Sequence, residues 1–203
     1  MKFVCVTQRI VYDKNTKTYK DALDQELVNF LTKIGYKIIP IPNIESSNKE
    51  ILNLLKFYRR RFKVNGFIFS GGEDILKNKK RYKIEKLLYS FCLKEKVPLF
   101  GICRGLQMIS HLNNIQLIKV SGHVAKRHKI LNLVNNKKKI VNSFHNWKIK
   151  ECPKNFQLTD ISEDNVIEGI KHRILPIHAV MWHPEREKIY YKSDILIFQK
   201  LFK

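Results

Sequence analysis

Val97-Pro-Leu-Phe-Gly101-Ile-Cys103-Arg104-Gly105-Leu-Gln107-Met-Ile109 is the segment that decides the fold of this chain. Its apolar start, bounded by a proline, predicts a buried strand, and the residues after Cys103 predict an amphipathic helix. A cysteine between two glycines at a strand-to-helix corner matches a nucleophile elbow, with cysteine in place of serine. Side chains at Gly101 and Gly105 would clash with the strand and the helix, which explains the two glycines.

Cys103 is therefore a candidate nucleophile. In an elbow its sulfur stands at the N-terminus of the helix, where the thiolate, which is the reactive form, is stabilised. The alternative interpretation is a small buried hydrophobic residue, the usual role of a cysteine. That interpretation leaves the flanking glycines unexplained.

Before the elbow, a strand followed by a helix recurs three times. Apolar runs predict the strands, and apolar residues at helical spacing predict the helices. The strands cover 2–7, 37–42 and 65–70, and the helices cover 23–34, 47–62 and 84–91. This alternation predicts an α/β fold, a three-layer sandwich with a mostly parallel central sheet and helices on both faces.

After the elbow helix, the sequence changes to short strands separated by Asn- or Lys-rich turns. These strands cover 115–120, 129–134, 139–141, 156–161, 165–171 and 174–182. They predict a small antiparallel β portion in the C-terminal half, and the apolar residues of 189–202 predict a final helix. Because no repeat or linker interrupts the chain, residues 1–203 are predicted to form a single domain.

Composition narrows the function classes. The 203 residues suffice for a substantial core. No apolar run reaches the length of about eighteen residues that a membrane helix needs, and no signal peptide is recognisable, so we expect no membrane partner. The four cysteines are widely spaced and match no zinc-ligand pattern. We therefore expect reduced thiols in the cytoplasm and no metal site.

The chain is strongly basic, with 39 Lys and Arg against 18 Asp and Glu and a formal net charge of +21. Such a chain can bind nucleic acid or attract an anionic substrate. The basic residues are spread along the whole sequence, at positions typical of solvated helix faces and loops. We therefore favour an anionic substrate and expect no nucleic-acid partner.

A second motif, Met181-Trp-His183-Pro-Glu185, supplies what a cysteine nucleophile requires. A thiolate mechanism needs a base, and the base needs an acid that orients it. On an extended backbone His183 and Glu185 project to the same side, so the carboxylate can hold the imidazole while the other ring nitrogen faces Cys103. A histidine on an apolar strand is by default a satisfied core residue, but the neighbouring Pro184 and Glu185 favour the catalytic interpretation.

Two further segments follow predicted strands. Gly71 and Gly72 come after the third strand, as either a strand-exit turn or a part of the site. Gln8 and Arg9 come after the first strand. Ligands of open α/β sheets bind at the carboxyl ends of the strands, so Gln8 and Arg9 can reach one. An exposed loop arginine is the alternative for Arg9.

Together, these motifs resemble the class I glutamine amidotransferases, a cysteine-triad family that also includes stand-alone γ-glutamyl hydrolases. The resemblance covers nearly the whole chain and rests on Gly101-Ile-Cys103-Arg-Gly105-Leu-Gln107, Trp182-His183-Pro-Glu185 and Ser70-Gly71-Gly72. It implies a flavodoxin-like fold in which Cys103 is the nucleophile, His183 is the base and then the acid, and Glu185 orients His183.

The resemblance also implies an oxyanion hole and a substrate site. The backbone N–H groups of Gly71, Gly72 and Arg104 match the family's oxyanion donors, and no cofactor or metal is implied. Gln107 matches a position that contacts the substrate. Ser143 and His145 lie in a segment that resembles the one meeting the α-amino and α-carboxylate groups of the substrate.

That segment departs from the family pattern at one point. It continues with Asn146-Trp147, where related hydrolases often show His-Gln. Gly122-His123, with His128 following, also resembles a strand-and-loop pattern of the family, for which a structural role is at least as well supported as a functional one.

The resemblance implies hydrolysis of a γ-glutamyl amide through a cysteine thioester. Thr7-Gln-Arg9 and Asp21-Ala-Leu-Asp-Gln25, interpreted as a helix, resemble the γ-glutamyl-CDP-amidate hydrolases, which release glutamate from a nucleotide-linked phosphoramidate on the way to a capsule decoration. Arginines at 9, 104, 127, 173 and 186 suit a phosphate-bearing leaving group.

Two alternatives remain open. One is a glutaminase subunit that supplies ammonia to a separate synthetase partner, because 203 residues include no synthetase domain. The other, less favoured, is a basic binding module without catalysis, against which the intact Cys103, His183 and Glu185 argue.

Overall fold

The computed structural model describes all residues, 1–203, and its centre is a single nine-stranded sheet. The strands of the chain are β1 (Lys2–Thr7), β2 (Arg9–Asp13), β3 (Thr18–Ala22), β4 (Tyr36–Ile41), β5 (Gly66–Phe69), β6 (Leu99–Ile102), β7 (Leu117–Lys119), β8 (Val124–Asn132), β9 (Lys137–Phe144), β10 (Trp147–Ile149), β11 (Phe156–Ser162), β12 (Ile167–His172) and β13 (Ile177–Val180). The order in the large sheet is β4-β1-β5-β6-β13-β12-β11-β8-β9.

The first five strands of that order are parallel, and the other four continue the sheet in antiparallel pairing. The α/β class with a mostly parallel centre is thus confirmed. The antiparallel portion is continuous with the parallel part, because β13 pairs with β6 on one side and with β12 on the other. The parallel half and the antiparallel half therefore share one sheet.

Five helices cover the two faces of the sheet. They are α1 (Gln25–Lys33), α2 (Asn48–Phe62), α3 (Lys79–Glu95), α4 (Arg104–Leu112) and α5 (Lys192–Leu201). Neighbouring residues of a strand point to opposite faces: Phe67 packs against Phe91 of α3, whereas Gly66 faces Phe202, just after α5. On that second face, Phe30 of α1 packs against Phe198 of α5 with ring centroids 5.1 Å apart.

The segment after β1 is a β-hairpin, which the sequence pattern did not predict. β2 pairs with β3 as a separate two-stranded sheet, from Arg9 opposite Ala22 to Asp13 opposite Thr18. Residues 21 and 22 therefore belong to a strand, and the predicted helix over 21–25 is wrong. Helix α1 begins at Gln25 because the Asp24 side chain caps it, accepting a hydrogen bond from the N–H of Glu26.

Other element boundaries follow local signals. Helix α2 begins where predicted, since Ser47 and Glu50 form a reciprocal capping box. The final helix begins only at Lys192, and Ile189, which was assigned to it, is 85% exposed. Strand β10 was missed; it pairs with β7 outside the large sheet.

No helix has both the length and the apolar character that crossing a membrane requires.

Candidate active site

Cys103 lies at the corner between β6 and α4, in the backbone conformation of an elbow. Its φ is +50° and its ψ is −101°, a region that residues other than glycine rarely adopt. The neighbouring strand holds this corner in place, because the N–H of Cys103 donates to the carbonyl of Val180 at 2.8 Å. Cys103 occupies the N-cap of α4, where the helix terminus stabilises negative charge on the sulfur.

The two glycines of the elbow are required by close backbone packing. A Cβ atom on Gly105 would lie 2.5 Å from the carbonyl oxygen of Phe69, in β5. A Cβ atom on Gly101 would lie 2.8 Å from the carbonyl carbon of Gly105. The steric reason given for these glycines from the sequence is therefore confirmed.

His183 and Glu185 form a buried pair beside Cys103. The Nδ1 atom of His183 lies 2.7 Å from Oε1 of Glu185, and both side chains are only 3% exposed. The contact was predicted, but the extended backbone was not correct. Strand β13 ends at Val180, and a 3₁₀ turn over Pro184–Arg186 brings Glu185 back to the imidazole.

The pair has a direct electrostatic consequence. Burial of the imidazole opposes protonation, but Glu185 and Cys103 outweigh it and raise the pKa of His183 to about 10. Because Nδ1 is held by Glu185, Nε2 is the nitrogen left to meet the sulfur of Cys103. The resting site thus favours an imidazolium that can donate a proton.

The imidazole is confined on two sides. A Cβ atom on Gly71 would lie 2.8 Å from Cε1 of His183, so only glycine allows the turn to approach the ring this closely. The ring of Phe144 packs edge-on against the imidazole with centroids 5.7 Å apart. The backbone of His183 is also fixed: its N–H donates to Oδ1 of Asn142 at 3.0 Å, and its carbonyl accepts from Nδ2 of Asn142 at 2.8 Å.

A buried ionic network lies beneath the Gly71-Gly72 turn. Nη2 of Arg81 donates to the carbonyl of Ser70 at 2.7 Å and to that of Gly71 at 3.1 Å. Nε of Arg81 donates to Oε1 of Glu85 at 3.0 Å, and Thr7 donates to the same oxygen at 2.9 Å. Sequence reasoning missed this network, although Arg81 and Glu85 have the i, i+4 spacing of a helical ion pair.

The side chain of Arg104 belongs to the same network. It is 1% exposed and forms an ion pair with Glu85. Burial opposes ionisation of Glu85, but Arg104 and Arg81 outweigh it and lower its pKa. Arg104 was one of the arginines that suit a phosphate-bearing leaving group, but its guanidinium is buried against Glu85. The N–H groups of Gly71 and Gly72 donate to no protein acceptor.

The other predicted arginines are divided among three places. Arg127 is tied to Glu187 at 2.9 Å. Arg173 precedes the N-terminal end of β13. It therefore lies at the opposite end of the parallel strands from Cys103, which follows the C-terminal end of β6. Arg9 and Arg186 both line a narrow cavity beside the triad.

That cavity brings together one acidic and two basic side chains with the His183–Glu185 pair. It is lined by Arg9, Asp24, Gly71, His183, Glu185 and Arg186, among others. Nη2 of Arg186 lies 2.8 Å from Oδ2 of Asp24, and Nη2 of Arg9 lies 3.9 Å from the same oxygen. Gln8 does not join them: its amide donates to the carbonyl of Ile41 at 3.2 Å.

The predicted glutamyl-binding residues meet near Trp147. Nε2 of Gln107 donates to the carbonyl of Trp147 at 3.2 Å, and Nδ1 of His145 lies 3.0 Å from the same oxygen. Ser143 is fully buried, and its hydroxyl donates to the carbonyl of His123 at 2.7 Å. Gln107 therefore lies one helical turn from Cys103, whereas Ser143 and His145 face a separate buried cluster.

The fold and the triad geometry agree with the comparisons with known families. The profile of the family described as Glutamine amidotransferase class-I matches residues 15–201. The chain belongs to the class I glutamine amidotransferases.

Two curated relatives of this amidotransferase show its similarity to enzymes of different size. The γ-glutamyl-CDP-amidate hydrolase of Campylobacter jejuni is 31% identical over 192 residues, which cover 91% of this chain and 90% of that protein. The carbamoyl phosphate synthase small chain of Helicobacter pylori is 26% identical over 203 residues, covering 88% of this chain but only 50% of that protein.

Solved amidotransferase structures share the fold. A GMP synthase subunit, so described, from Thermoplasma acidophilum superposes with a TM-score of 0.70 at 20% identity, covering 100% of this chain and 92% of that one. A glutamine amidotransferase from Thermotoga maritima gives a TM-score of 0.66 at 14% identity, covering 98% of this chain and 83% of that one.

Proposed function

We propose that this amidotransferase hydrolyses a γ-glutamyl amide whose amine side carries a nucleotide phosphate. The observation that supports the chemistry is the buried His183–Glu185 pair set against the elbow thiol of Cys103. The C. jejuni relative, matched over nine-tenths of both chains, is named for hydrolysis of γ-glutamyl-CDP-amidate. That compound is our leading substrate.

The reaction proceeds in two steps. The thiolate of Cys103 attacks the γ-carbonyl carbon and forms a tetrahedral oxyanion. The C–N bond then breaks, while Nε2–H of His183 donates its proton to the departing nitrogen, leaving a glutamyl thioester. Neutral His183 next takes a proton from water, which attacks the thioester, and glutamate and the thiolate are released. Glu185 keeps the imidazole in the required orientation through both steps.

The oxyanion is stabilised by the N–H groups of Gly71, Gly72 and Arg104 in this proposal. Such donors lower the transition-state free energy by about 2.7–4 kcal/mol each in related chemistry. Arg81 supports the arrangement, because its bonds to the carbonyls of Ser70 and Gly71 hold the turn against the catalytic imidazole.

Arg9 and Arg186 are the basic side chains best placed for a phosphate. Both line the cavity that contains His183 and Glu185. Guanidinium groups bind phosphate oxygens in pairs and are therefore suited to a diphosphate leaving group. We place the reaction in the cytoplasm, in the biosynthesis of a capsule phosphoramidate; the four cysteines are all free, as a reducing compartment requires.

The decisive experiment measures glutamate release from three substrates: glutamine, a γ-glutamyl compound with a neutral amine, and γ-glutamyl-CDP-amidate. We expect the highest kcat/KM for the nucleotide compound. Cys103→Ala, the control, should lower kcat by about four orders of magnitude or more without changing the fold. Rapid turnover of glutamine with the nucleotide compound left intact would exclude the proposed substrate.

Arg9→Gln tests the phosphate contact. Loss of a charge-assisted hydrogen bond should raise KM for the nucleotide substrate about tenfold or more and leave KM for glutamine nearly unchanged. Arg173→Gln is the matched control, since it removes the same charge at the opposite edge of the sheet. Equal effects of Arg9→Gln on both substrates would contradict a phosphate role.

The carbamoyl phosphate synthase relatives favour a second candidate function, an ammonia-supplying subunit that acts with a synthetase. The chain spans half of the length of that H. pylori small chain. Under this alternative the isolated protein turns over all three substrates slowly, and a co-purifying synthetase accelerates glutamine hydrolysis.

A further inference from the structure

Three histidines and one glutamate converge inside the antiparallel half of the sheet. His123 precedes β8, His128 lies on β8, His145 follows β9, and Glu168 lies on β12. Nδ1 of His123, Nε2 of His128 and Nε2 of His145 lie 3.6, 3.4 and 3.3 Å from Oε1 of Glu168. The side chain of Glu168 is 0% exposed and that of His145 is 1% exposed.

These contacts are not hydrogen bonds. Neither oxygen of Glu168 has a hydrogen-bond partner, and Nε2 of His128 and of His145 also lack one. A buried carboxylate without a donor is strongly unfavourable, and buried charges are as a rule paired or bound to metal. Burial opposes protonation of His128, but Glu168 outweighs it and raises the pKa of that imidazole. The positive charge that the carboxylate needs can therefore come from an imidazolium or from a bound metal ion.

In the rings of His123 and His145, one nitrogen faces Glu168 and the other has a partner elsewhere. That partner shows where the hydrogen of each neutral ring lies. Nε2 of His123 lies 2.8 Å from Oδ2 of Asp164, and Nδ1 of His145 lies 3.0 Å from the carbonyl oxygen of Trp147. Both oxygens only accept, so these nitrogens carry the hydrogens. In the neutral rings, Nδ1 of His123 and Nε2 of His145 then direct lone pairs towards Glu168. Lone pairs facing a carboxylate repel it unless a cation lies between them.

The spacing suits a metal ion. Zinc binds imidazole nitrogen and carboxylate oxygen at about 2.0–2.1 Å, and the edge of such a tetrahedron is about 3.3 Å. The nitrogen-to-oxygen distances of 3.3–3.6 Å are close to that edge. Candidate ligand atoms of His123, His128 and Glu168 all lie within 4.8 Å of one another. A ring whose other N–H is held by a carboxylate or carbonyl is the usual outer shell of a metal-bound histidine.

We propose that His123, His128 and Glu168 bind one divalent zinc ion, with His145 next to them on the same carboxylate oxygen. These three ligands lie before β8, on β8 and on β12, away from the elements that carry Cys103 and His183, which separates this site from the catalytic one. The ion would join β8 to β12. The proposal does not depend on the substrate, because it concerns a separate set of residues.

The test is metal analysis of the full chain, purified without a histidine tag or a metal column. Cys103→Ala serves as the reference protein, because the free elbow thiol can itself bind zinc. We expect about one equivalent of zinc per chain by mass spectrometry. We also expect Co²⁺ substitution to produce the visible absorption of a tetrahedral site, and chelation to lower the melting temperature.

Two ligand variants and one control complete the design. In the Cys103→Ala background, His128→Gln and Glu168→Gln should each reduce zinc content about tenfold or more. His128 is the more accessible ligand, with a side chain 18% exposed, so its variant remains informative if Glu168→Gln fails to fold. His111→Gln, on α4 outside the cluster, should retain one equivalent.

Two results would overturn the proposal. One is a reference protein that is purified without metal and whose melting temperature and spectrum do not respond to Zn²⁺ or Co²⁺. The other is a folded His128→Gln protein that binds zinc as tightly as the reference does. Neither result bears on hydrolysis, which is measured separately on the protein with Cys103 intact.

Discussion

Cys103 is held in a conformation that its own Cβ atom disfavours, with φ at +50°. Such strain persists only where surrounding contacts enforce it, and it concentrates at functional sites. Here the bond from the N–H of Cys103 to Val180 and the packing of Gly105 on Phe69 enforce it. The strain places the sulfur at the helix N-terminus, beside His183.

The pH profile of kcat/KM should report the His183–Glu185 pair. The pKa of His183 is raised to about 10, so the imidazolium is present at neutral pH and loses its proton as the pH rises through about 10. A neutral ring cannot protonate the leaving nitrogen. We therefore expect kcat/KM to fall on the alkaline side with an apparent pKa near 10.

Glu185→Gln provides the comparison for that profile. Removing the carboxylate removes the charge that favours the imidazolium, so the alkaline limb should move to lower pH. The value of kcat should fall by about 10²–10⁴, because the ring also loses its orientation. An alkaline limb that stays in place in this variant would show that another group controls it.

At the scale of elements, the elbow can form because β6, α4 and β5 pack closely, with glycines at their points of contact. Strand β6 ends at Ile102, α4 begins at Arg104, and Gly105 brings the first turn of that helix onto β5. The neighbouring β13 then delivers His183 to the same sheet edge, since it is parallel to β6. Parallel pairing is thus what brings two motifs 80 residues apart in the sequence into one site.

Gly105→Ala should test this packing. The added Cβ atom would lie 2.5 Å from a backbone oxygen, which cannot give way cheaply, so α4 must move. We expect the free energy of unfolding to fall by about 3 kcal/mol, with a large loss of kcat. The measurement is urea unfolding together with glutamate release.

Gly122→Ala is the matched glycine control. Its φ is +82° and no atom lies within 4 Å of the added Cβ, so only backbone strain opposes it. We expect Gly122→Ala to lower the free energy of unfolding by about 1 kcal/mol. Equal losses at the two positions would show that steric contact is not what requires Gly105.

At the scale of the whole molecule, the surface is more basic than the sequence total suggests. Of the 18 acidic residues, Glu85, Asp160, Glu168, Glu185, Glu187 and Asp194 are buried, whereas Arg81 and Arg104 are the only buried Lys or Arg. The remaining cations therefore act over a surface that has few carboxylates. Such a surface attracts an anionic substrate at a distance, and its positive charges also repel one another.

Ionic strength should therefore change substrate affinity selectively. Raising it from about 0.01 to about 0.15 M shortens the Debye length from about 30 to about 8 Å. We expect KM for γ-glutamyl-CDP-amidate to rise several-fold, while KM for glutamine, which has no net charge, stays nearly constant. If KM rose equally for both substrates, the change would come from an effect of salt on the protein and not from the charge of the substrate.

Much of the fold could be predicted because its signals are local. The apolar runs of the parallel strands, the capping box of Ser47 and Glu50, and the Gly-x-Cys-x-Gly corner all act within a few residues. The hairpin β2–β3 was missed because its strands are largely exposed and lack an apolar pattern. The 3₁₀ turn after His183 was missed because only the packed site reveals it.

The sequence alone predicted the nucleophile, the base and the acid that orients it, since each belongs to a short and recognisable motif. Only the tertiary structure decided which long side chains meet. It buried Arg104 on Glu85, left Arg9 and Arg186 at the cavity, and brought His123, His128 and His145 around Glu168. Those contacts depend on strand order and on burial, and neither is encoded in the spacing of the residues along the chain.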